Sequence, residues 1–278
     1  IARELGENDV LADALEQKAE TLFEPDEQRD VLLELGKVCT DLEEYERAAD
    51  AYRQALLLDE SDTEVMRQLV GLYEVTEQYE ELVDVLDRLT TYEQEPEALV
   101  RLYRQIATYS RHFIEDNDRA VRAYQQVLEL EPAHEDAMAA LEELYREQER
   151  WTDLRSVLQR SFEEAETRGR DQEVARAAIE LGRLSHEEFD EVETAIDWFN
   201  RALEVESGHP DVIEALEELY REEQQWGELM DLLDEQFEIA ETDAKRATLL
   251  TEMARVNLKY LDQLEDDKDK MKRAIELE

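Results

Sequence analysis

Few residues of this chain are of types that do covalent or acid–base chemistry, and their spacing keeps them apart. His112, His134, His186 and His209 include no pair at the i, i+4 spacing by which a helix presents two imidazoles to a zinc ion, so each reads as a surface or turn histidine. Cys39 is the one cysteine; it has no partner for an internal disulfide and reads as a small packing residue in a helical run. The acidic clusters Asp59-Glu60-Ser61-Asp62, Glu115-Asp116-Asn117-Asp118 and Asp266-Asp267-Lys268-Asp269 offer oxygen ligands to a hard cation. They lack the central glycine and closing glutamate of a calcium loop, and turn or cap duty explains them. The 7 glycines are dispersed and form no phosphate-cradling loop. The chain is therefore expected to be no enzyme and to use no cofactor or metal.

The elements that would position these residues are helices. The chain has 278 residues, 42% of them hydrophobic, with only 7 Gly and 4 Pro to interrupt helical runs. No stretch alternates apolar and polar residues beside a glycine-rich turn, so strands are not expected. About fifteen helices are, with Pro25, Pro96, Pro132 and Pro210 between helices or in first turns. Asp62, Asp116, Glu135 and Asp211 lie near expected helix starts, where acidic side chains suit the helix dipole.

Charge excludes whole classes of partner. With 76 acidic residues against 31 basic ones the formal net charge is -45, which opposes nucleic acid and anionic membrane surfaces. Only 7 of the cations are lysine, a balance that fits a protein kept soluble in high salt and equally an ordinary acidic helical repeat. No run approaches the roughly 20 apolar residues of a membrane span. The lone cysteine favours a reducing, cytoplasmic setting. Because the chain begins at Ile1 and stops within a repeat, it reads as an excerpt of a longer protein.

Internal repetition organises the chain. Leu141-Glu142-Glu143-Leu144-Tyr145-Arg146-Glu147 recurs unchanged as Leu216-Glu217-Glu218-Leu219-Tyr220-Arg221-Glu222, and Trp151 and Trp226 follow at the same distance. A looser copy, Leu69-Val70-Gly71-Leu72-Tyr73-Glu74, is followed by Tyr79, so the offsets are 72 and 75 residues. Small residues repeat on a second register: Leu35-Gly36, Ile106-Ala107, Leu181-Gly182 and Met253-Ala254.

In the first such unit Leu35, Gly36, Ala48, Tyr52 and Ala55 sit in a pattern that resembles the tetratricopeptide repeat, a helix hairpin of about 34 residues. Ala120, Tyr124, Val127 and Pro132 continue it, then Ala195, Phe199 and Ala202, each with one extra residue in the inter-helix turn. In the last unit Asp267 and Met271 fall where Ala and Tyr are expected, and Ala274 keeps its place. Between these lie units that depart from the pattern: Glu142 and Glu217 replace a small residue, and Leu154 and Leu229 replace Ala. Wider helix spacing is expected there, filled by Tyr145, Tyr220 and the tryptophans.

The resemblance implies an all-α, right-handed superhelical α-solenoid of antiparallel helix pairs, taken as one domain over 1–278. Approximate units are 1–26 (partial), 27–60, 61–94, 98–132, 135–168, 173–207, 210–243 and 245–278, with a two-unit period of about 73 residues.

It also implies a non-enzymatic protein–protein interaction scaffold whose first helices line a concave groove. Mapped onto that groove, the near-consensus units place Lys37, Arg101, Arg104 and Arg111 there, then Arg176, Arg183, Arg255 and Lys259, together with His112 and His186. Glu143, Arg146, Glu147, Glu218, Arg221 and Glu222 make the intervening bands mixed. Such a surface would read a protein or peptide segment carrying acidic residues, through the planar guanidinium fork. The same arginines could instead neutralise glutamates of adjacent helices. Asn257 alone stands near the place of a carboxylate-clamping asparagine, and that activity is not expected. Two further readings stay open: an acidic outer surface that shields a basic partner or mimics nucleic acid, and a structural spacer that self-associates.

Overall fold

The computed structural model describes residues 2–261. Asp267, Met271, Ala274 and the 266–269 acidic cluster lie outside the described residues. All regular structure among the described residues is helical. In chain order the α-helices are α1 (Ala2–Thr21), α2 (Pro25–Asp41), α3 (Tyr45–Leu58), α4 (Thr63–Val75), α5 (Tyr79–Tyr92), α6 (Pro96–Tyr109) and α7 (Asn117–Leu130). They continue as α8 (Glu135–Glu147), α9 (Trp151–Arg168), α10 (Asp171–Glu187), α11 (Val192–Val205), α12 (Pro210–Glu222), α13 (Trp226–Ile239) and α14 (Asp243–Val256). Single π-helical turns, Ser110–Ile114 and Asn257–Leu261, extend α6 and α14.

Two compact units divide between Leu144 and Tyr145. In the first, each helix from α1 to α7 packs on the next; in the second, α9 to α14 do the same. The cause is an apolar stripe on each helix. In α4, Val65, Met66, Leu69, Leu72 and Tyr73 recur at helical spacing and are buried. Complete burial of a side chain such as Leu69 contributes about 2 kcal/mol before packing terms.

Caps and turns set the helix ends. Pro25, Pro96 and Pro210 open α2, α6 and α12, where the missing N–H costs no bond. Asp62 accepts from the Glu64 and Val65 amides, and Asp116 from the Arg119 amide. The turns inside helix pairs reverse through a left-handed residue, and glycine is absent from them. Glu43, Glu77, Glu115, Glu149, Asp190 and Gln224 take φ of 55 to 62°. In four of these turns an amide reaches back five residues, as from Glu44 to the Cys39 carbonyl at 2.9 Å and from Gln78 to Tyr73 at 2.9 Å. Where the turn holds one more residue the bond spans six: Asp116 to Ser110 at 2.8 Å and Glu191 to Ser185 at 2.9 Å.

The two repeat types differ in how closely their helices approach. A Cβ built on Gly36 would lie 2.7 Å from the Tyr52 ring, and one on Gly182 would lie 2.7 Å from Phe199. These glycines let an aromatic of the second helix rest against the backbone of the first. In the other type Leu154, Leu229, Tyr145 and Tyr220 are buried in the wider space, and Trp151 and Trp226 are half-buried. Trp226 stacks on Tyr260 at 3.7 Å. Cys39 is fully buried among the apolar residues of the first unit.

Candidate functional site: the first-helix faces

The residues singled out for a groove all lie on first helices of pairs or on the turns that extend them. Lys37 is exposed on α2, Arg101 and Arg104 on α6, Arg176 and Arg183 on α10, and Arg255 on α14; Arg111 and Lys259 sit in the two π-helical turns. In the first unit Arg104 pairs with Asp136 of α8 at 3.3 Å, and Arg111 pairs with Glu143 of α8 at 3.0 Å. In the second, Arg183 lies 3.5 Å from Asp211 of α12 and 3.6 Å from Glu180 on its own helix. Arg255 holds Glu252 at 2.6 Å, and the Lys259 ammonium rests over the Tyr260 ring at 4.6 Å. Lys37 and Arg101 have no ion partner among the described residues.

The same logic governs the other face. Arg47 of α3 reaches Asp13 of α1 at 2.8 Å, Arg119 of α7 reaches Asp84 of α5 at 2.8 Å, and Arg155 of α9 reaches Glu191 at 2.9 Å. Arg201 of α11 pairs with Glu166 of α9. These partners stand 34 to 36 residues apart, one repeat length, so arginine ties successive repeats together. Burial and the loss of water around Arg119 work against its charge, yet its bonds to Asp84 and Asp87 prevail and raise its pKa.

The first unit also contains a cavity of about 970 Å³ between the neighbouring first helices α4 and α6, with α5 beneath. Its floor is apolar, from Val70, Leu86, Leu89 and Leu102. Toward the helix N-termini stand Arg67, Arg101 and Glu93, with Arg104 past the middle of α6. Glu93 accepts from the Gln94 and Glu95 amides at 2.9 and 3.1 Å, which hold its carboxyl below the usual range; Arg67 and Arg101 add to the shift.

Toward the C-termini the rings of Tyr79, Tyr109 and Phe113 gather, with centroids 4.3 to 5.8 Å apart. Tyr109 donates its hydroxyl to Glu74 at 2.7 Å. Burial first, then that bond and the glutamate's charge, push the phenol up to about 12.

The remaining candidates are placed plainly. His112 and His186 are exposed. Asp59 holds the amide and hydroxyl of Ser61, while Asp62 caps α4 and pairs with Arg29 at 2.7 Å. Asn257 is buried at 1% exposure, so its amide is not offered to a ligand carboxylate on the surface. Among the described residues no three His, Cys, Asp or Glu side chains group as metal ligands, and no helix is long and apolar enough to cross a membrane.

Sequence reasoning missed the cavity itself. Arg67, Val70 and Glu74 recur at i, i+3 and i+7 on one face of α4 and line it, a spacing common to amphipathic helices, so no separate signal marked it.

The tetratricopeptide-repeat family profile matches residues 31–66. No curated protein matches the chain. Among solved structures, YrrB, described as a tetratricopeptide-repeat protein with an unusual peptide-binding site, is 19% identical, covering 73% of this chain and 98% of its own, with a TM-score of 0.37. A tetratricopeptide repeat protein from Parabacteroides merdae is 13% identical, covering 89% of this chain and 98% of its own, with a TM-score of 0.37. The pilF protein of Pseudomonas aeruginosa is 16% identical, covering 90% of each chain, with a TM-score of 0.34.

Proposed function

We propose that this chain, a helical-repeat protein with a tetratricopeptide repeat at residues 31–66, is a non-enzymatic scaffold that binds a protein or peptide segment on its first-helix faces. The observation that carries the reading is the cavity between α4 and α6, an apolar floor with unpaired Arg101 at its rim in a chain of net charge -45. Packed repeats place the same face of successive helices side by side, which suits recognition of a chain rather than turnover of a small molecule. Lys37, Arg104, Arg111, Arg176, Arg183, Arg255 and Lys259 share that class of face. Those already tied to a neighbouring carboxylate have less to offer a ligand than Arg101.

The test is affinity capture with the wild-type chain beside a variant carrying Arg101→Glu, Arg176→Glu, Arg183→Glu and Arg255→Glu, with helicity checked by circular dichroism. A partner captured by the wild type and lost from the folded variant supports the reading. Equal capture by both would sink it.

The repeat-to-repeat ties favour a second reading. They occupy many of the arginines and leave most carboxylates for the surface, as an acidic shield for a basic partner requires. Binding of that kind would survive the four-arginine change and fall steeply with added salt.

A further inference from the structure

Resting on the reading of the first-helix face as a peptide-binding surface, we infer that the α4–α6 cavity takes an extended protein segment bearing an acidic side chain and, three or four residues away, an apolar or aromatic one. The two ends of the cavity differ in chemistry. Near the helix N-termini Arg67, Arg101 and Glu93 line the cavity together, and both guanidiniums help to lower the Glu93 pKa. Neither has a strong partner: Arg101 has no ion pair among the described residues, and the carboxylate nearest Arg67 is Glu64, at 3.8 Å on its own exposed turn. Glu93 accepts both amides on Oε1, which ties its carboxyl to its own turn, and it makes no ion pair with either guanidinium. An incoming carboxylate finds two planar forks with donors to spare.

At the other end the surface is aromatic. Tyr79, Tyr109 and Phe113 form a wall, Phe113 is 51% exposed, and the Tyr109 hydroxyl is committed to Glu74. An apolar side chain seated there covers ring surface that water now touches. Arg101 and Tyr109 are eight residues apart on α6, which is about 12 Å along the helix axis. An extended segment spans that distance in three or four residues at about 3.3 Å each.

Charge sets the sign of the partner. With Arg104 tied to Asp136, the N-terminal end of the cavity still sets Arg67 and Arg101 against Glu93 alone, while the whole chain carries -45. This is a locally cationic site on an anionic protein, which draws an acidic segment in only at short range.

The experiment pans a displayed random peptide library on the whole chain and measures the enriched peptides by fluorescence anisotropy. The proteins compared are the wild type, the Arg67→Glu/Arg101→Glu double variant, Gln105→Trp and Leu57→Gln. Gln105 lines the cavity and is exposed, so Gln105→Trp fills it without disturbing the core. Thr108→Trp, at another exposed lining position, is the alternative blocking variant. Leu57 is 76% exposed in a separate hollow of about 580 Å³ lined by α3, α4 and α5, and it serves as the control.

The expected result is enrichment of an acidic residue three or four positions from an aromatic or large aliphatic one. Affinity should fall at least tenfold in the arginine variant, fall in the Gln105 and Thr108 variants and hold in Leu57→Gln. Peptides without an acidic residue, or indifferent to the arginine pair yet lost with Gln105→Trp, overturn the chemistry and leave the groove reading standing. Peptides indifferent to Gln105→Trp, peptides lost with Leu57→Gln alone, or no enrichment overturn both.

Discussion

Alanine placed at Gly71 and at Gly182 should move stability in opposite directions. Both glycines are interior to helices, so both substitutions gain about 1 kcal/mol of helix propensity. They differ only in what the new methyl meets. At Gly71 nothing lies within 4 Å, and the gain stands alone. At Gly182 the methyl would sit 2.7, 2.8 and 3.0 Å from three Phe199 ring atoms. That ring is 3% exposed, packed in the core, and has nowhere to retreat. Overpacking of this kind costs about 1–3 kcal/mol.

The propensity gain is common to both variants, so their difference isolates the packing cost, about 1–3 kcal/mol in favour of Gly71→Ala. Urea unfolding followed by circular dichroism measures it, with unchanged slopes licensing the comparison of midpoints. Equal midpoint shifts in the two variants would refute the claim that Gly182 is a contact residue for Phe199.

Other outcomes follow from the same geometry. Arg119→Met should cost about 1 kcal/mol, because its side chain is 22% exposed and bridges α7 to Asp84 and Asp87, whereas Arg53→Met, which loses only an exposed pair within one helix, should cost about 0.3 kcal/mol; the difference should shrink as salt is raised in urea unfolding. Tyr109 has its folded pKa raised to about 12 against an ordinary value near 10, so the folded chain holds this proton after the unfolded chain has lost it. Its contribution is complete below pH 10 and is lost as pH climbs to about 12, and phenolate absorbance should titrate earlier in Glu74→Gln. Glu77→Gly should raise stability by about 1 kcal/mol in the same urea assay, since a left-handed φ of 57° burdens any residue with a Cβ.

Much of the fold was legible because helix periodicity and the exact duplication are dense local signals. The proline placements, the Asp62 and Asp116 caps, the buried Cys39 and the packing of Tyr145 and Tyr220 could all be read from register alone. The extra turn residue in two units was visible too, and the structure gives it a form: a bond from Asp116 to the Ser110 carbonyl, and its equivalent from Glu191 to Ser185. The left-handed turn residues were not legible, since glutamate carries no sign of φ > 0 and glycine, which would, is absent. Nor could the pattern reveal a buried polar series at Ser110, Ser185 and Asn257, because each looks like an ordinary helix C-terminal residue. For the cationic face the sequence established which helix carried each arginine. It could not say which carboxylate, a repeat away, would reach it.

That last distinction determines what the first-helix face can do. An arginine in a repeat array has two competing partners, a carboxylate of the next repeat and one brought by a ligand, and the nearer wins. Arg104 and Arg111 are each met by an acid of α8, because Asp136 and Glu143 fall on the facing side of that helix. Arg101 lies against the cavity that α4 lines with Arg67 where an acid would be needed. Helix α6 is thus left with Arg101 unpaired beside an open cavity, on the face where its later arginines are tied. The specificity of such a face is therefore set less by where cations occur than by where a carboxylate is missing from the neighbouring helix.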